Sequence, residues 1–477
     1  MIVIAILAIP LLAALLSCLP SRRLPWTATF IACVAVLILT IRLALQVASG
    51  EPMVVIPKWI AVDSLSALIL LLITFVGTVA AFYSLGYMGK TCRDPKRLRL
   101  YYVNYNLFIF SMLAIPVLVE PTLVWIVVEL TTLCSALLVS FENTREALEA
   151  AWKYVVLSLM GAGVALLGFL VLFAAMQAAG GGAYTWDGLI AAAPRMPAIL
   201  LQTAFVLILV GLGTKVGLVP LHTWLPDAHS QAPSPVCALL SGVETTAVLY
   251  VILRLFPVMR AATATHAEMW AIVFGLISVG TPAFLLLRVQ DYKRMFAFST
   301  VEHMGIILLA VGLGSSAAHY GALYQALSHT LTKSFCFFAA GAVLLGAGTR
   351  QISSVRGLIH TSPAAGVSLL LGGLAIAGAP PFAVFLSEFS IFRAGLAEGH
   401  YVATGLLVLF VAIGFFGIMW NVNRMVFGQP NGDAQVRLPV SCLVALVVAG
   451  ALVIVFGLYM PAPMQELLRH GAAALER

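Results

Sequence analysis

The chain of 477 residues is 62% hydrophobic and only 9% charged, with a mean hydropathy of +1.05 and a formal net charge of +7. That composition excludes an ordinary soluble domain and describes a polytopic, all-α membrane protein. A pI near 9.1 could point to nucleic acid, but the Lys and Arg residues fall in short loops between apolar runs, where membrane topology accounts for them.

A helix needs about 20 apolar residues to cross the hydrocarbon core. Runs of that kind lie at roughly 1–20, 26–48, 63–88, 101–118, 120–140, 150–177 and 198–225. They continue at roughly 233–256, 266–287, 293–313, 317–347, 363–398, 401–427 and 438–460. The expectation is about fourteen transmembrane helices and no soluble domain. The first run lacks a basic leader and a cleavage signal, so it reads as a retained helix. The longest connection runs from Gly180-Gly181-Gly182 through 183–197.

Two spans look broken. One is "GLGTKVGLVPLHTWLPDAH", with Gly213, Gly217 and Pro220 around Lys215; the other is "GGLAIAGAPPFAVFLSEF", with Pro380 and Pro381 before Glu388. Proline removes a backbone donor and glycine loosens the helix, so both spans can unwind inside the membrane. They are the seventh and twelfth spans, five helices apart, which predicts two inverted five-helix repeats. Residues 101–256 (helices 4–8) and 266–427 (helices 9–13) form the repeats. Residues 1–100 form an N-terminal three-helix segment ending in a basic loop, and 438–477 the last helix and tail. The loop from Lys90 to Arg99 dominates a two-to-one excess of basic residues on one side. The expected orientation is a prokaryotic cell membrane with both termini outside.

Eight ionisable residues stand inside the apolar runs: Glu129, Lys153, Lys215, Glu244, His303, His329, Lys333 and Glu388. A charge at the bilayer centre costs on the order of 3 kcal/mol, so the recurrence points to a relay of titratable groups carrying protons or cations. Each residue also has a structural reading. Glu129 and Lys215 can be mutual counter-ions, Lys153 can snorkel and pair with Glu149 one turn away, and Glu388 can be an interfacial acid. His329 and Lys333 share a helix face at i, i+4, whereas Glu302 points away from that of His303. The seven cysteines are scattered, with no CxxC and no Cys/His cluster, so neither an iron–sulfur nor a zinc site is indicated. His222, Asp227 and His229 do not have a metal-ligand spacing and read as loop residues. No nucleotide-binding or hydrolase motif stands in a credible context.

"GLGTKVGLVPLHTWLPDAHSQAPSPVCALLSG" resembles the signature of the antiporter-like membrane subunits of respiratory complex I, multisubunit cation/proton antiporters and membrane-bound hydrogenases. "STVEHMGII", "ALYQALSHTLTKSFCFFAAG" and "AIAGAPPFAVFLSEFSIF" are similar to later helices of the same family, and the likeness covers roughly residues 60–430. "VEHMG" and "PPFAVFLSEF" are most similar to component F of hydrogenase-4-type complexes. The resemblance implies fourteen core helices, a helix-5 glutamate carried by Glu129, a helix-6 lysine by Lys153 and a broken-helix lysine by Lys215. It also implies a central axis through His303, His329 and Lys333 with its exit at Glu388. One position departs: many relatives carry His or Lys where this chain has Glu244. The chain also ends too soon after helix 14 for the lateral helix of the most distal complex I subunit.

The function expected on these grounds is a proton- or sodium-translocating subunit of a membrane-bound hydrogenase or NADH-dehydrogenase-type oxidoreductase. Other membrane subunits would be its partners, with nickel–iron and iron–sulfur centres in those partners and no cofactor of its own. The alternatives are a subunit of a non-redox cation/proton antiporter or inorganic-carbon uptake complex, and a membrane scaffold with residual charges. In the expected mechanism a Glu129–Lys215 pair is separated by redox energy, and the proton runs through Glu244, His329, Lys333 and His303 to Glu388.

Overall fold

A computed structural model describes residues 1–262, 266–430 and 437–476. Among them, twelve helices are long and apolar enough to cross a membrane, from Leu24–Val47 to Val440–Leu458. Two further apolar helices, Ile2–Ser17 and Pro363–Ile376, are shorter. The protein is therefore a mostly helical, multi-pass membrane protein.

The helix ends follow from the polar residues that punctuate the apolar runs. Asp63 accepts from Ser66 N at 2.8 Å to start Ser64–Thr91. Glu120 accepts from Thr122 N and Leu123 N at 3.1 and 2.8 Å to start Pro121–Val139, with Pro121 in the first turn, where its missing N–H costs nothing. Asp291 opens Tyr292–Gly312 in the same way. Small residues set the closest approaches: a Cβ on Gly161 would lie 2.6 Å from Gly211 O, so Arg145–Ala178 and Ala198–Val216 touch backbone to backbone.

Three features differ from the sequence expectation. The stretch before Ser64 forms a small antiparallel hairpin, Met53–Ile56 with Ile60–Val62, whose turn holds Lys58 at φ +66°. The 183–197 connection contains the helix Trp186–Ala192. Past the last span, the helix Ala462–Ala474 packs across Ser64–Thr91 and Ser316–Ala347.

Both expected breaks are present. The seventh span ends at Val216, and a separate helix Trp224–Gln231 follows. The 363–398 run divides into Pro363–Ile376 and Ala383–Ala397. Pro220, Pro380 and Pro381 lie in the gaps, at cis peptide bonds. Ser234–Ala261, the helix between the two breaks, is enclosed by protein and carries a π-helical turn at Leu240–Glu244.

Candidate functional site

The first buried cluster forms where the seventh span stops. Gly217 closes that helix at φ +86°, a conformation open to glycine, and its N–H returns to Gly213 O at 3.0 Å. A Cβ there would collide with Leu225. The Trp224 indole donates to Thr214 O at 2.8 Å, so a carbonyl freed by the break has a partner. Lys215 is thereby fixed in the last turn, 2% exposed, with its ammonium turned inward.

That ammonium donates to Thr132 Oγ1 at 2.5 Å and Tyr154 Oη at 3.0 Å, and makes an ion pair with Glu244 Oε1 at 3.0 Å. Tyr154 donates to the same Glu244 oxygen at 3.0 Å, and its hydroxyl lies 2.8 Å from Ser135 Oγ. Glu244 is 1% exposed, and its Oε2 has no hydrogen-bond partner among the described residues. The expected Glu129–Lys215 pair is replaced here by Lys215–Glu244. Glu129 stays part-buried, with neither carboxyl oxygen hydrogen-bonded among the described residues. Glu129 is one turn before Thr132 on the same helix, so the ammonium sits one turn from an unpaired carboxyl.

The π-helical turn explains why Glu244 can serve two sides. A π turn shifts the backbone hydrogen-bond pattern and so leaves carbonyls free for tertiary partners. Ser241 O takes the His329 ring at 3.1 Å, and Gly242 O takes Thr330 Oγ1 at 2.6 Å. The same five residues hold Lys215 through Glu244 and the His329 helix through two carbonyls.

The second cluster is built around Ser316–Ala347. Gln325 Nε2 donates to His303 Nδ1 at 2.7 Å, which leaves His303 Nε2 to donate to Ile376 O at 3.0 Å. Ile376 is the last residue before the second break, so again a freed carbonyl is occupied. The His303 and His329 rings are 5.3 Å apart, and His329 Nδ1 is buried without a partner among the described residues. Ser387 donates to Gln325 Oε1. Glu388, one residue on, is buried against Gly378, where a Cβ would collide with its carboxyl. Gly378 lies in the break at φ +77°. Lys333, fully buried, donates to Phe296 O at 2.6 Å and to Ser299 Oγ, with no ion pair among the described residues.

Two residues depart from the sequence reading. Lys153 lies outside the buried chain: its side chain is 41% exposed and pairs with Glu149 at 2.8 Å and Asp227 at 3.2 Å. Asp227 also takes Arg294 at 2.6 Å, so it ties the first half to the second near the surface. Glu302, expected to point away, is buried, with its carboxyl against Gly414 and Lys333 one of the charges acting on it. Reasoning from the sequence missed Tyr154, Ser135, Gln325 and Ser387. The available signal was polar residues inside apolar runs, as in "KYVVLS" and "YQALSHTLTKS", where Gln325 stands one turn before His329. Among the described residues, no group of three or more His, Cys, Asp and Glu could hold a metal ion.

Comparison with known proteins places this geometry. Residues 121–415 match the family described as NADH:quinone oxidoreductase/Mrp antiporter, TM, and residues 55–101 match NADH-Ubiquinone oxidoreductase (complex I), chain 5 N-terminus. The chain is 36% identical over 429 residues to a hydrogenase-4 component F homolog of Methylacidiphilum infernorum, covering 87% of this chain and 88% of that protein. It is 31% identical to a Na(+)/H(+) antiporter subunit of Alkalihalophilus pseudofirmus, over 83% of this chain and 52% of that longer protein. Its fold matches a chain of the membrane-bound sulfane sulfur reductase, an archaeal respiratory membrane complex. That match has a TM-score of 0.89 at 24% identity and covers 99% of this chain and 97% of the other.

Proposed function

We infer the function from family and geometry together, and the premise is that the chain belongs to the NADH:quinone oxidoreductase/Mrp antiporter transmembrane family. It is an antiporter-like membrane subunit of the kind found in hydrogenase, complex I and Mrp-type assemblies, working beside other membrane subunits. Beyond that, we propose that it moves protons, or sodium ions, through the buried chain Glu129, Lys215, Glu244, His329, Lys333, His303 and Glu388. Lys153 would act at the surface end. The proposed architecture adds Ile2–Ser17 and the broken Pro363–Ala397 segment to the twelve long spans. That gives two inverted repeats over 101–256 and 266–427, flanked by 1–100 and 438–477, with both termini outside.

The observation that carries the reading is the π-helical turn at Leu240–Glu244, which joins the Lys215 cluster to the His329 cluster through one short piece of backbone. In the proposed cycle the Lys215 ammonium exchanges Glu244 for Glu129. Glu244, left as a bare carboxylate, then takes a proton and passes it to the free Nδ1 of His329. The adjacent His303 ring, with Gln325 and Ser387, leads on to Glu388. Moving one charge against 100 mV takes about 2.3 kcal/mol, which the partner assembly would supply. In the hydrogenase-type reading the nickel–iron and iron–sulfur centres belong to those partners.

The likeness to the Na(+)/H(+) antiporter of Alkalihalophilus pseudofirmus favours one second reading, a non-redox cation/proton antiporter or ion-driven carbon-uptake complex, with the same residues moving the ions. The assembly would be purified from native membranes and tested for redox metals, then for proton or sodium uptake in vesicles with Lys215→Ala and Glu244→Gln. Nickel and iron in the assembly support the first reading, and their absence with intact exchange supports the second. Undiminished uptake by Lys215→Ala would sink both.

A further inference from the structure

A cavity of about 720 Å³ opens at the end of the molecule where Ala267–Leu286, Tyr292–Gly312 and Ser316–Ala347 meet. Its wall brings together Arg288, Arg294 and Arg350, with Asp291 the one acid among its lining residues. The Asp291 charge is already committed. It accepts Ser230 Oγ at 2.6 Å and the backbone N–H groups of Lys293 and Arg294 at 2.7 and 3.1 Å.

The three guanidinium groups keep free donors. Arg350 Nη1 reaches Ser230 O at 2.5 Å and Gln231 Oε1 at 2.8 Å. Arg294 gives one nitrogen to Asp227 yet remains 45% exposed. The guanidinium of Arg288 has no hydrogen-bond or ion-pair partner among the described residues. Three such groups around one hollow are a setting for an anion with several acceptor oxygens, since guanidinium matches phosphate in a planar, two-pronged way.

The rest of the wall decides which anion. Leu285, Val289 and Phe298 line the cavity, and the neighbouring Phe284 and Leu287 are exposed on the flank of a membrane-spanning helix. An apolar ramp leading from a basic socket into the bilayer zone suits a molecule with a phosphate head and acyl tails. We propose that the cavity binds a phosphoryl group, supplied by the headgroup of an anionic phospholipid, on Arg288, Arg294 and Arg350. The lipid clamps Gln231, at the end of the first broken segment, to the helices of the second half. It also draws on Arg294, which shares Asp227 with Lys153.

The test uses the intact assembly purified in detergent, with melting temperature and lipid retention by native mass spectrometry as readouts. Both are independent of ion transport, so the proposal can fail without touching the function above. Phosphatidylglycerol should raise the melting temperature, and phosphatidylcholine should not. Arg288→Gln, which removes no protein contact, should weaken phosphatidylglycerol binding about tenfold, as loss of one charge-assisted contact implies. Arg350→Gln should weaken it as well. Unchanged binding by both variants would overturn the site. Equal protection by inorganic phosphate alone would overturn the lipid assignment and leave a free-anion socket.

Discussion

Lys215 and Lys333 are buried cations of the same protein, one beside each broken helix, but their surroundings differ. Lys215 has a carboxylate at 3.0 Å, whereas Lys333 is held by a carbonyl and a hydroxyl. The first arrangement stores the charge as a pair. The second solvates it with neutral oxygens and leaves two acids, Glu302 and Glu388, buried without an ion pair among the described residues. A paired cation cannot leave without stranding its partner, while a solvated one can release a proton and stay bonded through its amine. The halves therefore divide the work, with the first gating and the second conducting.

That contrast can be broken most directly at the two lysines. Lys215→Met should destabilise the protein by about 3–5 kcal/mol, because Glu244 is left buried and unpaired, and should stop ion uptake. Lys333→Met should stop uptake as well but cost only about 1–3 kcal/mol, since two neutral acceptors lose a donor. Melting of the two variants side by side decides the matter, and equal losses would erase the distinction between the halves. Adding Glu244→Met to Lys215→Met should recover stability to within about 1–2 kcal/mol of the parent without restoring uptake.

Smaller changes sharpen the same comparison. Tyr154→Phe removes the hydroxyl shared by Lys215 and Glu244, and should cost about 1 kcal/mol while slowing uptake; Ser387→Ala in the second half should alter uptake with less loss of stability. The smallest expected effect lies outside both clusters. Burial alone would raise the Asp63 carboxyl, but the Arg254 guanidinium at 2.6 Å outweighs it and holds the group down at about 2, below its ordinary 3.8. A lowered acid stabilises the fold above its unfolded value and loses that contribution as the pH falls through the folded one. Melting should therefore be insensitive to Asp63 from neutrality down to about pH 5 and fall only in stronger acid, a dependence Asp63→Asn should abolish.

Much of the fold and of the site is legible in the sequence. The apolar runs locate the long helices, and Gly217 with Pro220 and Pro380 with Pro381 mark both breaks. His303, His329 and Lys333 stand out as buried groups because a titratable side chain in an apolar run is too costly to persist there without a role. Lys153 is open to two readings, and its exposure and its bonds to Glu149 and Asp227 favour the surface one. Glu302 is misplaced by sequence reasoning because a face assigned on one helix says nothing about the Gly414 helix packed against it.

The sequence by itself determined which segments enter the membrane, where two of them break and which of them carry charge. Lipid makes each buried polar group costly enough to leave a local mark. Tertiary structure alone decided who pairs with whom. The Lys215 side chain, set free at a helix end, has Glu129 and Glu244 to choose between on two different helices. The register that presents Glu244 comes from a π-helical turn stabilised by Thr330 and His329, whose bonds to Gly242 and Ser241 each span 88 positions of the chain. Such a choice rests on side-chain reach and interhelical register, which no local pattern encodes.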